Sequence, residues 1–206
     1  MSLRIVTHPV LEDALAHLRD RRTLPEEFRR LARRASLILS CEATADLRLS
    51  PTTVETPLEQ AEVKTLGARV VAIPVLRAGL GMLDALLEVV PVAAVGYYGL
   101  ERNEETAVAK CYYEKLPLRL EDAIVFILDP MLATGGSAAM AAEGLQKKGA
   151  REIRLLSIVA APEGVAHLAK VAPHVAIFVA ALDRGLDVRK YILPGLGDFG
   201  DRLFGT

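Results

Sequence analysis

Two cysteines in 206 residues, Cys41 and Cys111, are all the thiol this chain carries, and they stand in no CxxC pair or Cys/His cluster. Neither a zinc site nor a disulfide framework is suggested, and the reading that fits is two reduced thiols in a cytoplasmic protein. Excess charge is missing as well. Lys and Arg total 25 against 26 Asp and Glu, a net of -1, so no global field draws the chain to nucleic acid or to an acidic membrane. Any anion site must therefore be built locally. Long apolar runs are the third absence. Although 51% of the residues are apolar, Pro, Gly or a charge interrupts every stretch well short of the ~20 residues a membrane span needs. Pro9, Glu12 and Asp13 break the amino-terminal segment before signal-peptide length. The expectation is a cytoplasmic protein that binds neither membrane nor nucleic acid.

What is present suits one domain over residues 1–206. Residues 1–50 read as a helical region: Thr23 followed by Glu26 makes a capping box, with Pro25 in the first turn. Phe28, Leu31, Ala35, Leu37, Ile38 and Leu39 then form an apolar stripe, and Arg29, Arg30, Arg33 and Arg34 a solvated or interface face. From Val70 onward short β-rich runs alternate with helical stretches. Strands are expected at Val70–Val75, Val92–Tyr97, Ala123–Leu128, Ile153–Ala160 and Val175–Val179, with helices after Gly81, Ser137 and Pro162. This alternation predicts an α/β fold, a parallel central sheet flanked by helices. Val95–Leu100 and Ala107–Tyr113 flank the charged tip Glu101–Glu105, so residues 98–115 read as an antiparallel β-arm leaving the sheet.

The chemistry is expected where the apolar strand Ala123–Leu128 runs into Asp129, Pro130, Met131, Leu132, Ala133, Thr134, Gly135, Gly136 and Ser137 ahead of an Ala-rich helix. Beyond the carboxyl end of a parallel strand, a loop of small residues lets backbone N–H groups converge on an anion at the next helix's start. Thr134 and Ser137 add hydroxyls. Asp129 can accept from sugar hydroxyls or from water around a cation. The loop lacks the Gly-Lys-Ser/Thr ending of a nucleoside triphosphate loop and the GxGxxG of a dinucleotide fold.

This loop resembles the phosphoribosyl pyrophosphate (PRPP) motif of type I phosphoribosyltransferases. Most of that family open the loop with two acids; here Pro130 replaces the second and Ser137 stands at the closing hydroxyl, a departure that resembles the uracil phosphoribosyltransferase branch. Glu42–Asp46, Leu76–Met82, Arg102–Thr106 and Pro194–Asp198 strengthen the likeness along nearly the whole chain. The resemblance implies transfer of a phosphoribosyl group from PRPP to uracil, giving UMP and pyrophosphate, with Mg2+ carried by the substrate near Asp129. It implies PRPP contacts from Arg77, Arg102, the whole of Asp129–Ser137 and Asp198, with Asp129, Arg77 and Arg102 as the catalytic set. Arg77 follows the first parallel strand, where its guanidinium can meet pyrophosphate bidentately beside Gly79. Arg102 sits at a loop tip, where it could close over pyrophosphate as a lid.

By the same resemblance residues 183–206 form a hood over the base, with Ile192, Gly197, Asp198 and Phe199 at uracil. Its glycines expose main-chain groups that suit the edge of a small planar base. His8, His17, His167 and His174 read as surface residues rather than a general base. A homodimer or homotetramer is expected, with GTP as an effector of the family. Two other classes stay open: a nucleotide-binding regulator without activity, and a transferase for another base such as a purine or orotate; a flavodoxin-like binding module is excluded mainly by the tail and Arg77 together. Orotate's carboxylate would want a cation that Tyr191–Asp201 lacks.

Overall fold

β-Branched and aromatic residues in unbroken runs suit strands covered on both faces. The computed structural model, which describes residues 2–102 and 109–206, bears this out. In chain order the first elements are β1 (Ser2–Ile5), α1 (Pro9–Arg19), α2 (Pro25–Thr44), β2 (Leu49–Glu55), β3 (Gln60–Leu66) and β4 (Arg69–Leu76). Next come α3 (Leu80–Val89), β5 (Ala94–Val95), β6 (Tyr97–Arg102), β7 (Ala109–Lys115), β8 (Ala123–Leu128) and β9 (Met131–Leu132). The chain ends with α4 (Gly136–Lys147), β10 (Glu152–Ala160), α5 (Pro162–Val171), β11 (Ala176–Leu182), β12 (Gly185–Leu186), β13 (Ile192–Leu193) and α6 (Phe199–Phe204).

Among the described residues the main sheet runs β1-β11-β10-β8-β4-β6-β7, with β5 beside β4 and β9 beside β10. All of its pairings are parallel except β6 with β7, the expected arm. The period of two along the buried strands divides the core. Val70, Ala72, Ile124, Phe126 and Leu128 face the side covered by α1, α2, α3 and α6. Val71, Ile73, Val125 and Ile127 face α4 and α5. From β4 the chain crosses to β6 on one side and later returns to β8 on the other. Helices α3 and α4 thus leave on opposite faces, and a crevice opens at the carboxyl ends of β4 and β8.

Several expectations are corrected. The run Val92–Tyr97 starts later than expected, at Ala94, and is divided at Gly96 into β5 and β6, although Gly96 N–H still donates to the Ala72 carbonyl of β4 at 2.9 Å. Gly96 also sits so close to Ile73 and Pro117 that a Cβ there would lie 2.7 Å from each. The Thr23/Glu26 capping box does not form. Leu24 caps α2 without a side-chain bond, and Thr23 Oγ1 instead donates to the His17 carbonyl at 2.6 Å, closing the α1–α2 turn. Strand β1 and the exposed β2–β3 hairpin had no counterpart in the sequence reading. The arginines of α2 are individually paired: Arg29 with the Leu203 carbonyl at 2.9 Å, Arg30 with Glu27, Arg33 with Glu88, Arg34 with Asp13 at 3.6 Å. His8 caps α1, its Nδ1 accepting from Val10 N–H at 3.1 Å. No helix among the described residues is long and apolar enough to cross a membrane.

Candidate active site

Pro74 and Leu128 pair across β4 and β8, so the chain leaves both strands at one level of the sheet. Arg77 and Ala78 follow one strand and Asp129–Ser137 the other. Together with Leu76 and Leu100, all of these residues except the buried Pro130 line a cavity of about 220 Å³, so Pro130, expected at the site, does not reach it with its side chain. Close packing holds the first loop there: a Cβ on Gly79 would run into the Leu128 carbonyl and lie 2.7 Å from the Val75 carbonyl. The peptide joining Leu76 to Arg77 is cis.

The second loop is stitched to its neighbour strand. Ile158 N–H and Val159 N–H donate to the Pro130 carbonyl at 2.9 and 3.1 Å, and Ala161 N–H to that of Leu132 at 2.9 Å. The buried Ser157 hydroxyl donates to the Asp129 carbonyl at 2.6 Å. Gly135, at φ +78°, then turns the chain into α4, with its own Cα against Gly164 of α5. A Cβ on Gly135 would stand 2.7 Å from the Gly164 carbonyl, and one on Gly164 2.8 Å from the Leu132 carbonyl. The loop can therefore bend back on α5 because both glycines are bare, which leaves the amino end of α4 open toward the cavity. Gly164 was not singled out in the sequence. The signal was a glycine in the first turn of a helix, where a better helix former costs less.

Asp129 is half-buried at the strand tip. Burial pushes its carboxyl up to about 6, opposed by a long bond of 3.5 Å from Met131 N–H. An acid so placed responds strongly to any cation or hydroxyl that enters the cavity.

The hood residues form a second group that does not line this cavity. Strands β12 and β13 pair as a small antiparallel ladder after β11, and the Leu193–Pro194 peptide is cis. Ile192 and Phe199 turn their side chains into the core, where the Phe199 ring meets Phe28 edge-on at 5.1 Å. Any contact of these two residues with a base would run through their main chain. Gly197 is exposed at φ +82°. Asp198 caps α6 by accepting from Asp201 N–H at 2.9 Å. Helix α6 then lies on the start of α3, next to Arg77.

Three side chains that the sequence reading passed over pin the hood. Arg19 of α1 donates to both carboxylate oxygens of Asp183, at 2.8 and 2.6 Å, and to the Gly195 carbonyl at 2.8 Å. Gly195 N–H donates back to Asp183 at 2.9 Å. Arg202 lies over the Phe28 ring at 4.5 Å and donates to the carbonyls of Leu18, Leu196 and Asp20. Glu163 accepts from Leu186 N–H at 3.0 Å, so one turn of α5 supports the hood through Glu163 and the cavity loop through Gly164. Arg102 ends β6; its side chain and the neighbouring Asn103–Thr106 lie outside the described residues.

A parallel sheet that brings an arginine loop and an acid-hydroxyl-glycine loop to one crevice defines the type I phosphoribosyltransferase class. A hypoxanthine-guanine phosphoribosyltransferase from Bacillus anthracis shares this fold with a TM-score of 0.51, over 77% of this chain and 80% of that one, at 11% identity. Residues 5–206 match the uracil phosphoribosyltransferase family, and the chain belongs to that family. The uracil phosphoribosyltransferase of Thermus thermophilus is 47% identical over the full length of both chains. The AQ2163 protein of Aquifex aeolicus superposes with a TM-score of 0.95 at 37% identity, covering 99% of this chain and 98% of that one.

Proposed function

We propose that this protein transfers the phosphoribosyl group of PRPP to uracil, forming UMP and releasing pyrophosphate in pyrimidine salvage. The observation that carries the assignment of roles is the shared cavity: Arg77 and the Asp129–Ser137 loop face one space at the ends of β4 and β8. The 5′-phosphate sits at the amino end of α4, among the N–H groups of Ala133–Ser137 and the hydroxyls of Thr134 and Ser137. Asp129 accepts from the ribose hydroxyls. Arg77 and Arg102 take the pyrophosphate, and Asp198 faces PRPP from the hood. Uracil is read by main-chain groups at Ile192, Gly197 and Phe199, in keeping with the two buried side chains of that set.

As the bond from the anomeric carbon to pyrophosphate breaks, the ribose becomes cationic and negative charge gathers on the leaving group. These residues position the reactants and balance those charges. Among the described residues no group of three Asp, Glu, His or Cys side chains is arranged to hold a metal. The half-buried Asp129 carboxylate, with one long hydrogen bond, fits a Mg2+ ion that arrives chelated by substrate oxygens. When bound, that ion offsets charge on the pyrophosphate. A cytoplasmic setting suits the two exposed free thiols. Assembly as a homodimer or homotetramer and GTP as effector complete the reading.

A panel of bases with PRPP and Mg2+ tests it. Uracil should release pyrophosphate, whereas cytosine, orotate and hypoxanthine should not. Turnover of a purine in preference to uracil would overturn the proposal.

A further inference from the structure

Arg77 does not stand alone at the cavity mouth. Its Nη2 lies 3.5 Å from Oδ1 of Asp201, and its guanidinium carbon lies 5.7 Å from the centre of the Phe204 ring. Both partners belong to α6, the last helix of the hood, and both are 124 residues or more away in sequence. Helix α6 is seated firmly: Leu203 and Phe199 fill the space over Gly81, where a Cβ would lie 2.8 and 3.1 Å from their side chains. Asp201 is itself fixed in that helix. Its N–H donates to Asp198, its carbonyl accepts from Gly205 N–H at 2.7 Å, and Oδ1 accepts from the Thr206 hydroxyl at 3.3 Å.

We infer that Asp201 is a positioning residue for pyrophosphate binding: with Phe204 it holds the Arg77 guanidinium at the cavity mouth. The side chains of Arg77 and Asp201 are 58% and 52% exposed. An ion pair that open contributes little to folding, so stability gives no account of it. Orientation does. A guanidinium carries five N–H donors, and one carboxylate contact with one ring face leaves an edge available for a bidentate phosphate contact. Holding the long side chain in place before the ligand arrives removes part of the ordering cost of binding. The inference rests on the reading that Arg77 meets pyrophosphate.

The test is calorimetric titration of the full chain with magnesium pyrophosphate and, separately, with UMP, which lacks the pyrophosphate group. Asp201→Asn should weaken pyrophosphate binding roughly three- to tenfold, the range set by immobilising one long side chain. UMP affinity should stay within a factor of about two of the parent. KM for PRPP should rise with the pyrophosphate constant, and Asp201→Glu should recover part of the loss. Unchanged pyrophosphate binding in Asp201→Asn, with Arg77→Ala clearly weakened, would overturn the role of Asp201 alone. An equal loss of UMP affinity would overturn it too, since Asp201 would then merely support the hood. Pyrophosphate binding unaffected by Arg77→Ala would remove the underlying assignment of Arg77, and the role of Asp201 with it.

Discussion

Arg19 and Asp183, 164 residues apart in the chain, are joined by two parallel hydrogen bonds, with the Asp183 side chain only 5% exposed. Removing the cation leaves a buried carboxylate whose remaining hydrogen-bond donor among the described residues is Gly195 N–H. Arg19→Ala should therefore cost about 3 to 5 kcal/mol in urea unfolding, the range for stranding one half of a buried pair. Uracil affinity should fall further than PRPP affinity, because Asp183 and Gly195 bracket the hood. A loss below about 0.5 kcal/mol would mean that water replaces the guanidinium.

Asp129 offers the opposite sign. In the unfolded chain its carboxyl titrates near 3.8, whereas burial holds it up to about 6 in the fold. Between these values the folded state keeps a proton that the unfolded state has released. Stability is thus greater at low pH, declines as pH rises from about 4 to about 6, and stays lower beyond. Asp129→Asn removes the buried charge. At pH 7 it should raise stability by on the order of 1 to 3 kcal/mol while turnover falls by orders of magnitude. A parallel loss of activity and stability would contradict a strand-tip carboxylate kept for function.

Gly164→Ala should weaken PRPP binding although Gly164 lies outside the loop Asp129–Ser137 that we propose cradles the phosphate. The added methyl presses on the carbonyls of Leu132 and Ala133, and the loop must shift away from α5. A tenfold or greater rise in KM for PRPP, at roughly 1 to 3 kcal/mol of lost stability, is expected. Gly135→Val should be worse, since it adds a branched side chain at φ +78°. Normal PRPP affinity in both variants would remove the loop from the phosphate site.

Gly197→Pro should nearly abolish use of uracil. Proline requires φ near -65°, and the backbone at this position stands at +82°. Ile192→Val should change uracil affinity less than threefold, because a side chain facing the core cannot read the base directly. Steady-state kinetics on both variants decide between main-chain and side-chain recognition. A tenfold effect from Ile192→Val alone would favour the side chain.

How much of this was legible in the sequence depends on the range of the interaction that decides each feature. Ala123–Leu128 declares itself as a strand, because its apolar run is short and rich in β-branched and aromatic residues, which suits a strand covered on both faces better than a helix. The loop from Asp129 to Ser137 is likewise local: acid, hydroxyls and glycines are adjacent in the chain. Thr23 misled because a capping box and a turn-closing hydroxyl share one local pattern, and the nearby His17 carbonyl decided between them. The hood pins were invisible for a related reason. Nothing near Arg19 indicates that its partner is Asp183, and nothing near Phe199 indicates that its ring is meant for Phe28 rather than for a base.

The pinning of the hood also has a consequence for how the chain is made. Helices α1 and α2 are synthesised first, yet Arg19 and Phe28 wait for Asp183, Phe199 and Arg202, and β1 waits for β11. At about 5 to 20 residues per second, the part of the α1–α2 surface that the hood covers waits roughly ten to thirty seconds after α2 is made. The hood end is thus the last part to close, and a nascent chain halted before residue 183 would present the still uncovered part of the α1–α2 surface to whatever chaperone is near. Ribosomes stalled shortly before and shortly after α6 should differ sharply in how well a protease cuts between α1 and α2.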